Sequence, residues 1–260
     1  MLLAFNVNNT HTLIGLYQGE RRAVHWRIST DPARTVDEYG VLLRGLFAEW
    51  GNPRPEITGV ALSSVVPPVN DRIEEVSRRF FAQAPLVVGP GVRTGVSILY
   101  DNPREVGADR ICNAVAAWER LHGAAIVVDF GTATTFDVVT ARGEYAGGVI
   151  VPGIGVSLDA LIGRTAKLPR VELVRPRSVI GKNTVNSMQS GLVYGYVGLV
   201  DGIVERMRAE VDFPLRVIAT GGLAALLARD SRTIEECDEM LTLTGLRIIY
   251  EREQRRGPRS

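Results

Sequence analysis

Long apolar runs, paired cysteines and net charge are all scarce in this chain of 260 residues. No apolar stretch approaches the roughly 18 residues that a membrane-spanning helix needs, so no membrane partner is expected. The opening "MLLAFNVNN" lacks a basic segment and its apolar run is too short for a secretory signal, which points to the cytoplasm. Only two cysteines occur, Cys112 and Cys237, without metal-ligand spacing. They read as buried structural thiols in a reducing compartment. The three histidines, His11, His25 and His122, form no motif, which argues against a zinc site. Thirty Lys+Arg stand against 29 Asp+Glu, which argues against a general polyanion-binding role while leaving a local patch open, and no nucleic-acid partner is expected. The common phosphate signatures are missing too. No GxGxxG follows a strand. "GKNT" (181–184) ends like a P-loop, but Pro176 stands where that motif's first glycine belongs. No nucleophile elbow supports a Ser-His-Asp triad.

What remains is a globular composition, 45% hydrophobic and 23% charged, long enough to bury a sizeable core. Three strand-like runs open the chain at 2–7, 12–18 and 23–29. A helix comes next, with Val36, Tyr39, Leu43, Leu46, Phe47 and Trp50 on one face. A buried strand (57–66), a proline-started helix (69–82), a short strand (85–89), a loop with a strand (89–103) and a helix within 104–121 complete the first half. The second half reads as strand–turn–strand (124–145), a further strand with a Gly/Pro turn and helix, and an irregular basic loop (169–184). A long helix (about 185–210), a strand (215–222) and helices at 223–229 and about 239–252 come after it. "EREQRRGPRS" reads as a frayed tail.

The second half begins as the first does. With an offset of 123, Asn6 falls on Asp129, Val7 on Phe130, Asn8 on Gly131, Asn9 on Thr132 and Thr12 on Thr135. Two copies of one unit each head a half of roughly 125 residues. The class is therefore α/β, in two similar domains, 1–118 and 119–260. Small residues in a tight turn make a nest of amides and hydroxyls suited to phosphate oxygens. "DFGTATT" supplies Gly131 for close approach and hydroxyls on Thr132, Thr134 and Thr135, while Asp129 at the strand end can hold a cation. The same stretches also suit two plain polar hairpins.

These paired turns, followed by a strand ending in "ATGG" (219–222), resemble the actin and sugar-kinase superfamily, and within it the type III pantothenate kinases. The resemblance implies two duplicated ribonuclease-H-like domains with an ATP cleft between them. The family's first phosphate motif, Asp-x-Gly-Asn-Thr, lies on Asn6–Thr10. Its second lies on "DFGTATT", its pantothenate motif on "YDNPREVGADR" (100–110), its interface motif on "GGVIVPG" (147–153), and a further substrate segment on "GKNT". The implied reaction is phosphorylation of the 4'-hydroxyl of pantothenate by ATP. Asp109 would be the base. Tyr100, Gly107, Ala108, Asp109, Arg110 and Thr184 would bind the substrate, with Arg110 on its carboxylate. Asn6, Val7, Asn8, Asn9, Thr10, His11, Thr12, Leu13 and Thr132 would surround ATP. Asp129 would bind a monovalent cation, K+ or NH4+, and Asn6 would stand where the family's aspartate helps hold Mg2+ with ATP.

Each assignment has a plainer alternative. Asp109 is also an ordinary helix N-terminal carboxylate, Tyr100 a strand-core residue and His11 a turn residue. Asn6 offers a carbonyl oxygen but no charge, so metal–ATP binding should be weakened. A nucleotide-binding regulatory factor, or a kinase of another small hydroxylated substrate, stays open beside the pantothenate kinase. Finally, Gly191, Gly195, Gly198 and Gly202 form one helical stripe. Each costs roughly 0.5–1 kcal/mol against alanine, so a packing reason is expected. That reason is either close packing within the chain or a helix–helix contact in a homodimer, which family members form.

Overall fold

All six residues of the first strand, β1 (Leu2–Val7), are buried, and their alternation serves two different packing faces. In a computed structural model, which describes residues 1–52 and 54–255, β1 is the centre of the first sheet. It pairs antiparallel with β2 (His11–Gln18), which pairs with β3 (Arg21–Ser29). Helix α1 (Val36–Glu49) starts with a capping box in which Thr35 and Glu38 exchange hydrogen bonds. Next come β4 (Gly59–Ser64), parallel to β1, then α2 (Pro67–Phe81) with its two leading prolines, and the two-residue strands β5 (Leu86–Val87) and β6 (Ser97–Ile98). A 3-10 turn (Pro103–Glu105) leads into α3 (Ala108–Leu121).

Successive strand side chains point to opposite faces. Leu3, Phe5, Val7, Ile14, Leu16, Val60 and Leu62 share a core with Tyr39, Leu43 and Phe47 of α1 and Val69 and Ile73 of α2. The other face carries small residues, and the last helix, α7 (Leu241–Gln254), lies on it. A side chain at Gly15 would come within 3.1 Å of Leu243, and one at Gly59 would strike the Tyr250 ring. The first compact unit is therefore Met1–Ala116 together with the segment from Leu241. The division at Ala116/Ala117 falls two residues from the expected 118/119, but the final helix leaves the expected second domain. Its partners are the small side chains of β1, β2 and β4. The expected tail is also shorter, because Glu251–Gln254 are helical and Glu251 pairs with Arg247 at 2.7 Å; residues 256–260 lie outside the described part.

The second unit, Ala117–Met240, contains β7 (Ala125–Phe130), β8 (Ala133–Val139), β9 (Glu144–Pro152), α4 (Ile154–Gly163), α5 (Thr184–Ala209), β10 (Arg216–Thr220), α6 (Ala224–Ala228) and β11 (Glu236–Cys237). Its strands run β9-β8-β7-β10-β11, the same order as β3-β2-β1-β4-β5. The duplication extends to irregularities: register shifts fall between Leu16/Tyr17 and between Val138/Val139. It also corrects the sequence offset. Asn6 pairs with Leu13, whereas Asp129 pairs with Thr135, so the first turn is one residue longer and Leu13, not Thr12, matches Thr135. Ile126, Val128 and Phe130 form a core with Val193, Val197, Val200 and Val204 of α5. Cys112 is buried as expected, but Cys237, on the edge strand β11, is exposed.

Candidate active site

Strand alternation sorts the expected ATP residues of the first unit. Val7 points into the α1/α2 core at 0% exposure, so only its backbone can meet a ligand. Asn6 faces the other way, at 1% exposure. Its Oδ1 is buried and has no hydrogen-bond partner among the described residues. Thr12 is buried, with its hydroxyl 2.8 Å from that of Thr30, and Leu13 is half-buried opposite Asn6. Between them Asn8, Asn9, Thr10 and His11 form an accessible turn closed by the Asn8 amide, which donates to the His11 carbonyl at 3.1 Å.

The ends of β1 and β4 meet the start of α3. Asn6 neighbours Ser63 in the parallel register. A side chain at Gly107 would lie 3.6 Å from Val65, just past β4, and 2.5 Å from Asp109 Oδ1. Asp109 sits in the first turn of α3, part-buried, where its Oδ1 accepts the Arg110 amide at 2.8 Å. The helix N-terminus favours a negative charge there. Arg110 is buried at 7% exposure. Behind them Cys112 is fully buried. Burial pushes its thiol up to about 12, a Ser63 hydrogen bond works against this, and the Asp109 charge adds to it. Cys112 is thus a neutral thiol behind Ser63. Ser63 and Cys112 were not among the expected residues; the serine pair closing "ITGVALSS" was the available signal, by analogy with "ATGG".

A cleft of about 870 Å³ lies between the end of β4, the segment 88–98 and the approach to α3. Gly107 and Ala108 line it, with Val65, Val96, Arg93 and Arg104. Among the described residues, Tyr100, Asp109 and Arg110 are not part of that lining. Tyr100 is half-buried in the irregular stretch before the 3-10 turn. The cleft wall at 93–95 is held by α7. Arg252 donates to the Thr94 carbonyl at 2.7 Å, Glu253 accepts the Arg93 amide at 3.0 Å, and Gly95, at φ 85°, leaves room for the Arg252 guanidinium.

In the second unit Asp129, next to last in β7, lies beside Thr220 of β10. Gly221 passes so close that a side chain there would come within 2.8 Å of Asp129 Oδ1. Of the three threonines of "DFGTATT", only Thr132 is exposed. Thr134 is fully buried, and Thr135 donates to Asp137 at 3.0 Å, so neither hydroxyl is presented to a phosphate. The turn is fixed by the Gly131 amide on the Ala133 carbonyl (3.1 Å) and the Gly153 amide on the Thr132 carbonyl (3.0 Å). Thr184 is exposed as the first residue of α5, which Asn183 caps by accepting the Asn186 amide at 2.8 Å. Among the described residues no three His, Cys, Asp or Glu side chains are placed to hold a metal ion together. A cation must therefore draw on few protein oxygens and on its anionic ligand, as Mg2+ does with nucleotides. The unpartnered Asn6 Oδ1 fits that pattern as a neutral donor.

A family model described as type III pantothenate kinase matches residues 2–206. Over 252 residues the chain is 59% identical to the type III pantothenate kinase of Myxococcus xanthus strain DK1622, covering 97% of this chain and 98% of that one. A Campylobacter jejuni protein described as a conserved Baf family transcriptional activator has the same fold at a TM-score of 0.61 and 16% identity, over 97% of this chain and 99% of that chain. A Sinorhizobium meliloti protein described as a 2-dehydro-3-deoxygalactonokinase matches at 0.58 and 12% identity, over 97% and 96%. At such identities the two structures speak for the fold alone, that of the actin and sugar-kinase superfamily.

Proposed function

The chain belongs to the type III pantothenate kinases, ATP-dependent enzymes of the first step towards coenzyme A, and we propose that Asp109 is its base, acting on the 4'-hydroxyl of pantothenate. The observation that carries this is a carboxylate in the first turn of α3, next to two residues that line the 870 Å³ cleft. Asp109 takes up the hydroxyl proton as the oxygen attacks the γ-phosphate, and positioning contributes most of the rate. Arg110 holds the pantothenate carboxylate, since a guanidinium matches it bidentately. Tyr100, Gly107 and Ala108 shape the substrate's apolar side, and Thr184 hydrogen-bonds it. The turn at Asn6–Leu13 and Thr132 bind ATP through amides and hydroxyls, with Val7 contributing backbone only.

The kinase uses ATP with a divalent metal, and we assign that metal as Mg2+, with Asn6 Oδ1 on its protein side. The metal supplies neutralisation of phosphate charge when bound. Asp129 holds a monovalent cation, K+ or NH4+. Turnover in a coupled assay with pantothenate, ATP and Mg2+ tests both residues. Asp109→Asn should lose on the order of a hundredfold or more in kcat while pantothenate still binds by calorimetry; near-normal turnover would refute the base. Full activity without K+ or NH4+ would remove the role of Asp129.

We also infer a homodimer. Side chains added at Gly191, Gly195 and Gly198 would meet nothing within 4 Å, so the stripe is not explained by packing within the chain. Ile150, Val156, Val179 and Ile180 of the same unit are exposed. Gly195→Glu should halve the mass seen by light scattering; an unchanged mass would place the interface elsewhere. Among the described residues no helix is long and apolar enough to cross a membrane, and the cytoplasm, where ATP is abundant, is the proposed location. One observation favours a second reading, a nucleotide-binding regulator: the missing charge at Asn6. Measurable phosphopantothenate from the purified chain would dismiss it.

A further inference from the structure

We propose that the outer face of the first unit carries a binding site for a small amphiphilic anion, with a flat apolar body and a phosphate or carboxylate head. A cavity of about 420 Å³ lies between α1, α2 and the segment after α1. Drug-sized ligands and cofactors occupy cavities of roughly 300–1,000 Å³. Its floor is apolar and aromatic: Leu43 and Phe47 from α1, Phe80 and Phe81 from α2. Phe47 is fixed edge-on between Trp26 (5.8 Å) and Phe81 (6.2 Å). Gly40 lets the Phe80 ring pack directly onto α1, since any side chain there would drive into that ring. Phe47 and Leu43 are buried beneath this floor, and the half-buried rings of Phe80 and Phe81 are the ones a flat guest can reach.

The rim supplies charge of one sign. Arg44 lies 5.7 Å from the centre of the Phe80 ring, and Arg54 stands on the opposite segment. Among the described residues neither arginine forms an ion pair, and no acidic side chain lines the cavity. The neighbouring arginines on α2 behave differently: Arg78 is paired with Glu74 and Arg79 with Asp37, each at 2.9 Å. Two unneutralised guanidiniums above an aromatic floor match a phosphate or carboxylate head attached to a planar body. Leu43 and Phe47 belong to the core on the α1/α2 face of the first sheet, the face opposite Asn6. The site is therefore separate from the nucleotide turn, and its occupant does not compete with ATP.

The test is calorimetry of the full chain with 1-naphthyl phosphate, run with a non-hydrolysable ATP analogue present at saturation. One equivalent should bind. The Arg44→Ala/Arg54→Ala double variant should weaken binding by about tenfold or more, with pantothenate phosphorylation unchanged as proof of folding. Neutral 1-naphthol and inorganic phosphate should each bind far more weakly than the combined probe. A charge-preserving Arg44→Lys/Arg54→Lys variant should fall between the two, because lysine lacks the planar fork. No binding by the wild type, equal affinity in the alanine variant, or displacement of the probe by the ATP analogue would each overturn the site.

Discussion

Asn6→Asp should make the protein less stable without nucleotide and more responsive to Mg2+–ATP. Asn6 is 1% exposed, and its Oδ1 has no partner among the described residues. In the sheet it lies between β2 and β4, opposite Leu13 and Ser63. A carboxylate there must stay ionised without compensation or take up a proton. An unpaired buried charge costs about 3–5 kcal/mol. Protonation sets a ceiling: lifting an ordinary aspartate from about 3.9 past pH 7 costs about 4 kcal/mol. The expected loss is therefore about 3–4 kcal/mol at pH 7. At about 2–4 °C per kcal/mol for a chain of this size, the melting temperature should fall by about 6–16 °C. The raised carboxyl fixes the sign with pH: the penalty is present above the unfolded value and vanishes as pH falls towards about 4. Thermal melts at pH 7 and pH 5 with and without Mg2+–ATP read all of this. Equal melting temperatures of wild type and variant at pH 7, with equal nucleotide shifts, would show that the oxygen does not face a cation site.

The packing sets three further outcomes. Gly245→Ala should lose about 1–3 kcal/mol in urea melts, because the added methyl would meet the Cys112 carbonyl carbon at 2.6 Å where α7 crosses α3. Arg252→Ala should raise the KM for pantothenate several-fold, with the KM for ATP unchanged, because it releases the Thr94 carbonyl at the cleft wall; a fall in kcat alone would speak against that role. Asp201 is buried, which alone would raise its carboxyl, but hydrogen bonds from Ser231, Arg232 and Thr233 hold it below the usual range. Its contribution is present above about pH 4 and lost as pH falls through the lowered value, so the stability gap between wild type and Asp201→Asn should close in acid.

Element type was legible wherever periodicity was strong. The α1 stripe from Val36 to Phe47 predicts a helix because its apolar positions recur on one face, and Val36, Tyr39, Leu43 and Phe47 are buried in the structure. The duplication was visible in the strand ends, but its offset was not, since one extra residue in the first turn leaves no mark in composition. The position of α7 was hidden for a physical reason. What receives it is a set of absences: Gly15, Ala4, Ala61 and Gly59 are small so that a helix from the other end of the chain can approach. Small residues in a strand do not say what covers them. Cys237 reads as a core thiol by type, yet it sits on a two-residue strand at the sheet's edge and stays exposed.

Strand alternation also explains why the candidate site uses so few of the polar residues in its motifs. On β1 the pleat gives Val7 to the core and Asn6 to the opposite face; on β7 it gives Phe130 to the core and Asp129 to the opposite face. A turn after such a strand can present at most the one outward residue at the strand end, plus the turn's own amides and the side chains at its tip. Thr12, Thr134 and Thr135 lie beyond that tip and are drawn into partner strands or the interior. The two copies thus each place a single oxygen-bearing side chain at the same point, flanked by a hydroxyl residue on the parallel neighbour, Ser63 or Thr220. They differ there by one charge. Because the strand order and the flanking hydroxyl are shared at that point, Asn6→Asp and Asp129→Asn form a matched pair. If cation binding sets the roles of these residues, the first should strengthen the divalent-metal dependence of ATP binding, and the second should abolish the response to K+ while leaving the Mg2+ dependence in place. Identical responses of both variants to both ions would show that charge at the strand ends does not distinguish the two halves.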